Sequence, residues 1–234
     1  MPLQWLPIRC FLVIPLLTCF PALAQEAPTA DDKKVELYLG QLRHKDTLVR
    51  SDAIKELCRL GPKAKSAVPE LIKMVSEKDD FVSNSAVRVL AAIGPEAKAA
   101  VPVLIERMKD KSASVRTPVA SALGRIGQPE VVPVLLKGLE DPWGDVRIAS
   151  ARWLFKMEKH KKEAFAALQK ELQADFWGFR HGALTNLQAL GPDAKEAVPN
   201  IIPLLKDREV LVREAAANAL RSIDSEAAKK AGVP

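Results

Sequence analysis

Residues 101–127 read VPVLIERMKDKSASVRTPVASALGRIG, and the fold follows from this stretch. Pro102 stands where proline is welcome, at the start of a helix, because the first helical N–H groups have no intrahelical acceptor. Leu104 and Ile105 continue a short apolar stretch, a polar turn containing Asp110 comes next, and a second apolar stripe runs through Val115, Val119, Leu123 and Ile126. Spacings of 4, 4 and 3 place these four side chains on one face of a helix. Gly127 ends the stripe, as a C-cap glycine does. The unit is therefore helix A, turn, helix B.

The unit recurs along the chain. An aliphatic–Arg pair appears at Val49-Arg50, Val115-Arg116, Val146-Arg147 and Val212-Arg213, with Phe179-Arg180 and Val82-Ser83 filling the two gaps. The second members stand at 50, 83, 116, 147, 180 and 213, separated by 33, 33, 31, 33 and 33 residues. Gly61-Pro62, Gly94-Pro95, Gly127-Gln128 and Gly191-Pro192 keep the same register, as do Val68-Pro69, Val101-Pro102, Val132-Pro133 and Val198-Pro199. The short interval arises because Gly127 to Pro133 spans six positions where Gly61 to Pro69 spans eight. Two short amphipathic helices cannot bury their apolar faces alone, so stacked hairpins must share one continuous core. Helix B is expected to run from about the anchor pair to the glycine or its replacement.

These markers resemble the HEAT-repeat family, especially its short bacterial form named after phycobilisome lyases. The resemblance covers residues 35 to 230 and is carried most fully by Val101-Pro102-Val103-Leu104-Ile105, Asp110, Val115-Arg116, Ala122-Leu123 and Ile126-Gly127. It implies an all-α fold, an α-solenoid (an armadillo-like superhelix) of six HEAT-like hairpins. Repeats 4 and 5 depart most, and repeat 4 carries Glu158, Lys159 and His160 in place of the Gly-Pro turn.

Composition agrees. Of 234 residues 48% are hydrophobic, ample for a core, while only 5% are aromatic, which suits stacked helices better than a β-sandwich. The N-terminus reads separately. Residues 1–24 hold one charge, Arg9, then an apolar run from Cys10 to Phe20 and a small-x-small pattern at Ala22-Leu23-Ala24. That order is a secretory signal peptide, too short for a comfortable membrane span; the alternative is an uncleaved anchor. Residues 25–32 read as a flexible leader, with Asp31 or Asp32 able to cap the first helix, and 33–234 as the solenoid. Cleavage lowers the net charge from +6 to +5 and leaves Cys58 alone, so no intrachain disulfide is available and packing alone must hold the exported fold.

Signals for chemistry are sparse. His44, His160 and His181 are followed by Lys45, Lys161 and Gly182, so neither a His-Glu-x-x-His pair nor the His-Glu dipeptides of HEAT-like di-iron hydroxylases occur. Cys58 has no cysteine partner at ligand spacing and reads as a packed thiol. No phosphate loop or nucleophile elbow is present. The sequence points to a non-enzyme with no cofactor.

Three sets of residues stand out. Asp110 and Arg116, Asp141 and Arg147, and Asp207 and Arg213 share a spacing of six. The resemblance implies a structural Asp–Arg ladder that ties the helix turn and often bridges neighbouring repeats. Five and nine residues after each anchor, helix B presents one face, because i and i+4 are neighbours. Those positions hold Lys55, Arg59, Arg88, Ala92, Ser121, Arg125, Arg152 and Lys156 in repeats 1 to 4, and uncharged Thr185, Ala189, Asn218 and Ser222 in repeats 5 and 6. HEAT arrays turn helix B to the concave side, so this is either a basic binding stripe or an ordinary solvated face. Trp143, Phe176 and Trp177 lie in the A–B turns of repeats 4 and 5, either as a contact patch or as local packing over helix ends, while Phe179 and Trp153 read as core.

The expected function is an exported interaction scaffold that binds a protein or acidic partner through the helix-B face, in the periplasm or outside the cell. Nucleic-acid binding through a basic concave surface is the alternative the pI of 9.2 permits, and a lyase-type assembly factor is a third. A short Ala/Lys tail after Ser225 offers no capping repeat, which suggests that the last repeat packs on a partner or a second copy.

Overall fold

The computed structural model describes residues 29–157 and 160–233. The candidate signal peptide lies outside them. Within them the chain is helical, with no strand, and forms six hairpins. The pairs are α1 (Ala30–Gln41) with α2 (Thr47–Leu60), α3 (Val68–Val75) with α4 (Asp80–Ile93), and α5 (Val101–Arg107) with α6 (Ala113–Ile126). They continue as α7 (Val132–Gly138) with α8 (Gly144–Lys156), α9 (Lys161–Glu171) with α10 (Trp177–Leu190), and α11 (Val198–Ile201) with α12 (Val210–Ile223). A last helix, α13 (Ser225–Lys230), follows.

Each even-numbered helix through α12 is a helix B, and each starts three residues before its anchor residue, earlier than the sequence suggested. The start is set one residue further back. Asp46 and Asp79 are N-caps whose carboxylates accept from the amides of Leu48 and of Phe81 and Val82. The first helix also begins early. Thr29 caps it in a reciprocal capping box with Asp32, so Ala30 to Asp32 belong to α1 and not to a leader, and neither Asp31 nor Asp32 is the N-cap.

The predicted stripe of repeat 3 is buried throughout, as is Val212, Ala216, Leu220 and Ile223 in repeat 6. Leu57, Leu71, Leu90, Leu104, Leu123, Leu135, Leu154 and Leu168 continue one core from end to end. Helices B of successive repeats pack directly on one another, whereas among helices A the main direct contact is α3 with α5. The B layer is the more extensively packed of the two.

The C-terminal end corrects an expectation. The tail after Ser225 folds as α13, capped by Asp224, and lays Ala228 and Val233 against the core with Lys229 and Lys230 outward. This short helix covers part of the last hairpin and turns a polar side outward, while Val210 and Leu211 at the start of α12 stay exposed.

The glycines between repeats show why the markers exist. Gly61, Gly94 and Gly191 have φ of 53°, 72° and 59° with ψ between −127° and −137°, a region essentially closed to L-residues. Proline follows each, and it bars the helical ψ that a left-handed cap needs. Gly127 has no proline after it and takes the ordinary left-handed cap, φ 70° and ψ 24°.

Gly94→Ala should therefore destabilise by about 1–3 kcal/mol through backbone strain alone, since a Cβ there meets only the Arg125 carbonyl at 3.9 Å. Gly40→Ala, inside α1 with open space around it, should stabilise by about 0.5–1 kcal/mol. Urea midpoints that move in the same direction for both would contradict this. Leu123→Ala, in the central core, should cost about 2–5 kcal/mol, and an unchanged midpoint would overturn the inside–outside assignment.

Candidate functional site: the helix-B face and its framework

The framework is built on the anchor arginines. Each uses one nitrogen, Nη1, to close its own A–B turn. Arg116 donates to the carbonyls of Asp110 (2.8 Å) and Lys111 (2.9 Å), Arg147 to those of Asp141 and Pro142, Arg180 to Ala174 and Asp175, and Arg213 to Asp207 and Arg208. The other edge of the fork reaches the next repeat. Arg116 holds Asp141 through two bonds of 2.8 Å, Arg147 holds Glu171 at 2.6 and 2.9 Å, and Arg180 holds Asp207 at 2.8 and 2.7 Å.

The expected ladder thus exists between repeats, and the carboxylate pairing within a repeat does not. Asp110 meets Arg116 only through its backbone, and its carboxylate takes Arg107 instead. Serine is the cause. Ser83 offers no fork to Asp110, so Arg107 of helix α5 fills the place, bonding Asp110 at 3.0 Å and the Ser83 hydroxyl at 3.0 Å. Two members were missed. Arg180 stands in the anchor series but has Ala174, not Asp, six residues before it; Glu171, on the last turn of α9, is brought in only by the fold. Arg50, at the start of the array, closes its turn and lies 4.6 Å over the Phe81 ring.

The electrostatics agree. Burial raises the Asp141 pKa, but hydrogen bonds from Arg116 and the Trp143 amide, with the charges of Arg116 and Arg147, outweigh it and hold the carboxyl below its ordinary value. Asp207 is lowered chiefly by its bonds to Arg180, against burial. A depressed folded pKa means that these pairs stabilise fully above the unfolded value of about 3.9 and lose that contribution as pH falls through the folded value.

On this framework the helix-B face is displayed. Lys55, Arg59, Arg88, Arg125, Arg152 and Lys156 are all exposed. Their surroundings differ. Lys55 pairs with Asp52 at 3.3 Å and Arg59 with Glu56 at 2.7 Å, so repeat 1 is neutralised locally. Arg88, Arg125 and Arg152 have no carboxylate at ion-pair distance among the described residues, and all three border one hollow of about 460 Å³ with Cys58, Ala91, Ala92, Pro118, Ser121 and Trp153. Trp153 is half-buried. Its ring lies on Gly124, where a Cβ would come within 2.0 Å of Cγ, and Lys156 Nζ and the Arg152 guanidinium stand 4.6 and 5.8 Å from its centroid. Desolvation raises the Cys58 thiol, against the nearby charges of Arg88 and Arg125.

The turn aromatics form one cluster around half-buried Phe179. Trp143 packs edge-on to it at 5.6 Å and Phe176 at 5.0 Å, and Trp177 follows Phe176 at 5.9 Å. Gly144 and Gly178 make room, because a Cβ at either would strike Phe179 or Phe176. The indole of Trp143 donates to Asp145 at 3.0 Å. Local packing and exposure coexist, since Trp143 and Phe176 keep 48% and 51% of their surface open. The histidines stay apart, and among the described residues no three His, Cys, Asp or Glu side chains gather as a metal site.

Removing one partner of a buried pair leaves the other charge stranded. Arg180 and Asp207 are each only 7% exposed, and Asp207→Ala should cost about 3–5 kcal/mol near neutral pH. The deficit against the unsubstituted protein should begin to shrink as pH falls below about 4 and continue to shrink through the depressed folded value of Asp207, where the wild-type pair is itself lost. A pH-independent deficit in urea titrations would assign the cost to packing.

The comparisons with known proteins fit this geometry. A family model described as HEAT repeats matches residues 35–101, 96–155 and 165–231. Among solved structures, the complex of CpcE and CpcF of phycocyanin lyase from Nostoc sp. PCC7120 superposes with a TM-score of 0.53 at 20% identity, covering 93% of this chain and 97% of that one. Human deoxyhypusine hydroxylase gives 0.47 at 20% identity over 86% and 88% of the two chains, and a designed armadillo repeat protein gives 0.44 at 18% over 81% and 100%. No curated protein matches.

Proposed function

The chain belongs to the HEAT-repeat family, and on that premise we propose that it is an exported, non-catalytic scaffold that binds a protein partner through its helix-B face. The observation that carries this reading is the contrast between two sets of arginines. Those at the anchors are consumed by the framework, each bonded to its own turn and, from Arg116 to Arg180, to the next repeat. Those at Arg88, Arg125 and Arg152 are exposed and contribute no ion pair to the fold among the described residues. Structural economy explains the first set and leaves the second for a ligand. The aromatic edge at Trp143, Phe176 and Trp177 is a second contact surface on this reading, because about half of Trp143 and of Phe176 stays open to solvent. Export rests on the signal-like residues 1–24.

Partner capture from the native envelope fraction tests the face. Arg88→Glu with Arg152→Glu should abolish capture while the helical signal is kept, since exposed substitutions usually change stability by within about 0.5 kcal/mol. Wild-type capture should weaken steeply with salt. Trp143→Ala with Trp177→Ala should weaken it without changing the salt dependence, because apolar burial is not screened. Capture unaffected by the charge reversal removes the helix-B face from the proposal. Intact mass of the exported protein should correspond to a start at Gln25; a retained N-terminus reopens the nucleic-acid alternative.

A further inference from the structure

We infer that the hollow over α6 is a docking site for an acidic polypeptide segment, whose Asp or Glu carboxylates are taken by Arg88, Arg125 and Arg152; this rests on the helix-B face being the binding face.

The hollow has a sequence origin. In the two rows of positions that form the stripe, six of the eight places in repeats 1 to 4 carry a long cationic side chain. The two that do not are Ala92 and Ser121, and both line the hollow. Arg88 on α4 and Arg152 on α8 flank Ser121 of α6 in the same row, so the short side chain leaves a gap between two guanidinium groups. Arg125 borders it one turn further along α6. Pro118 adds to the gap. It sits inside α6, where a proline removes a helical hydrogen bond, and it too lines the hollow. A local rule of helix building is broken where the surface recedes, which is where functional demands usually appear.

The chemistry fits carboxylates. A guanidinium fork matches the planar carboxylate with two parallel N–H···O bonds, and this chain makes that arrangement three times in its own framework. The three arginines, none in an ion pair among the described residues, come from three successive helices B. Packed helices lie about 8–10 Å apart, so the array spans roughly 20 Å, the length of about six residues of extended chain. It is also bounded. Asp52 and Glu56 neutralise repeat 1, and Thr185, Ala189, Asn218 and Ser222 carry no charge beyond repeat 4. A short acidic segment matches such a window; a uniformly charged polymer gains nothing outside it.

Nucleic acid is disfavoured by Trp153. Single strands are held by stacking bases on open aromatic faces. This indole is half-buried, rests on Gly124 and has the Lys156 and Arg152 charges against its ring, so it is not an open stacking platform for a base.

The test uses the full chain and a dye-labelled hexaglutamate peptide, read by fluorescence anisotropy at low salt. Hexaglutamate should bind and hexaglutamine should not. Arg125→Gln should weaken binding at least about tenfold, as expected when one charge-assisted contact is lost. Lys137→Gln, an exposed charge on α7 outside the helix-B face, should leave affinity unchanged. Ser121→Leu and, independently, Ala92→Leu fill the floor without altering charge, and each should also cost about tenfold or more. Two such variants guard against one failing to fold. Full affinity in the folded Leu variants, with loss in Arg88→Glu, overturns the hollow and leaves the face. An oligothymidylate that binds more tightly than hexaglutamate overturns the peptide assignment. Partner capture that survives Arg88→Glu with Arg152→Glu overturns the face itself.

Discussion

The array depends on what one guanidinium does at the start of helix B. A hairpin turn leaves backbone carbonyls without partners, and stacking hairpins requires that each fix the register of the next. The anchor arginine meets both needs, because its five donors sit in a rigid plane that faces two directions. One nitrogen closes the turn of its own repeat, and the opposite edge grips a carboxylate 24 to 27 residues away. Arg116, Arg147 and Arg180 do this in series, and their side chains are largely shielded from water. Lysine, a compact charge without a fork, cannot take both roles.

Departures from the pattern are informative for the same reason. Where the anchor is Ser83 the fork is missing, and Arg107 from the neighbouring helix A supplies it, reaching Asp110 and the serine together. Where repeat 5 lacks its aspartate, Glu171 reaches from the last turn of α9 with a longer side chain and is almost wholly buried. The constraint is a carboxylate at the fork, and the chain meets it from different backbone positions. Bridges of this kind make the repeats interdependent, as nearest-neighbour coupling in solenoids requires.

A scaffold whose framework is held in this way leaves its helix-B face free to differ from repeat to repeat. The helix-B stripe is ion-paired within repeat 1, cationic with no ion pair among the described residues in repeats 2 to 4, and uncharged in repeats 5 and 6. Trp153 marks the boundary. It replaces a small residue, occupies space opened by Gly124, and gathers Arg152 and Lys156 around its ring. The fold therefore supplies a uniform support, and individual side chains supply a polarised surface.

The amino-acid order already carries the all-helical solenoid, the number of hairpins and the buried faces, because these follow from local periodicity: a stripe at spacings of 3 and 4, a proline that opens a helix, and a glycine that closes one. It also marked Arg88, Arg125 and Arg152 as outward, since their positions lie off the buried stripe. Partnership between repeats was decided only by the tertiary structure. That Arg116 binds Asp141 and not Asp110, that Glu171 belongs to the ladder, and that Ala92 and Ser121 open a hollow between arginines all depend on which side chains the stacking of neighbouring repeats brings together. The pairs of Lys55 with Asp52 and of Arg59 with Glu56 lie three residues apart on one helix and rest on helix spacing alone. Periodicity says which face a residue occupies. Contact across the stack depends on helix offset and side-chain reach, and a spacing of six along the chain carries neither.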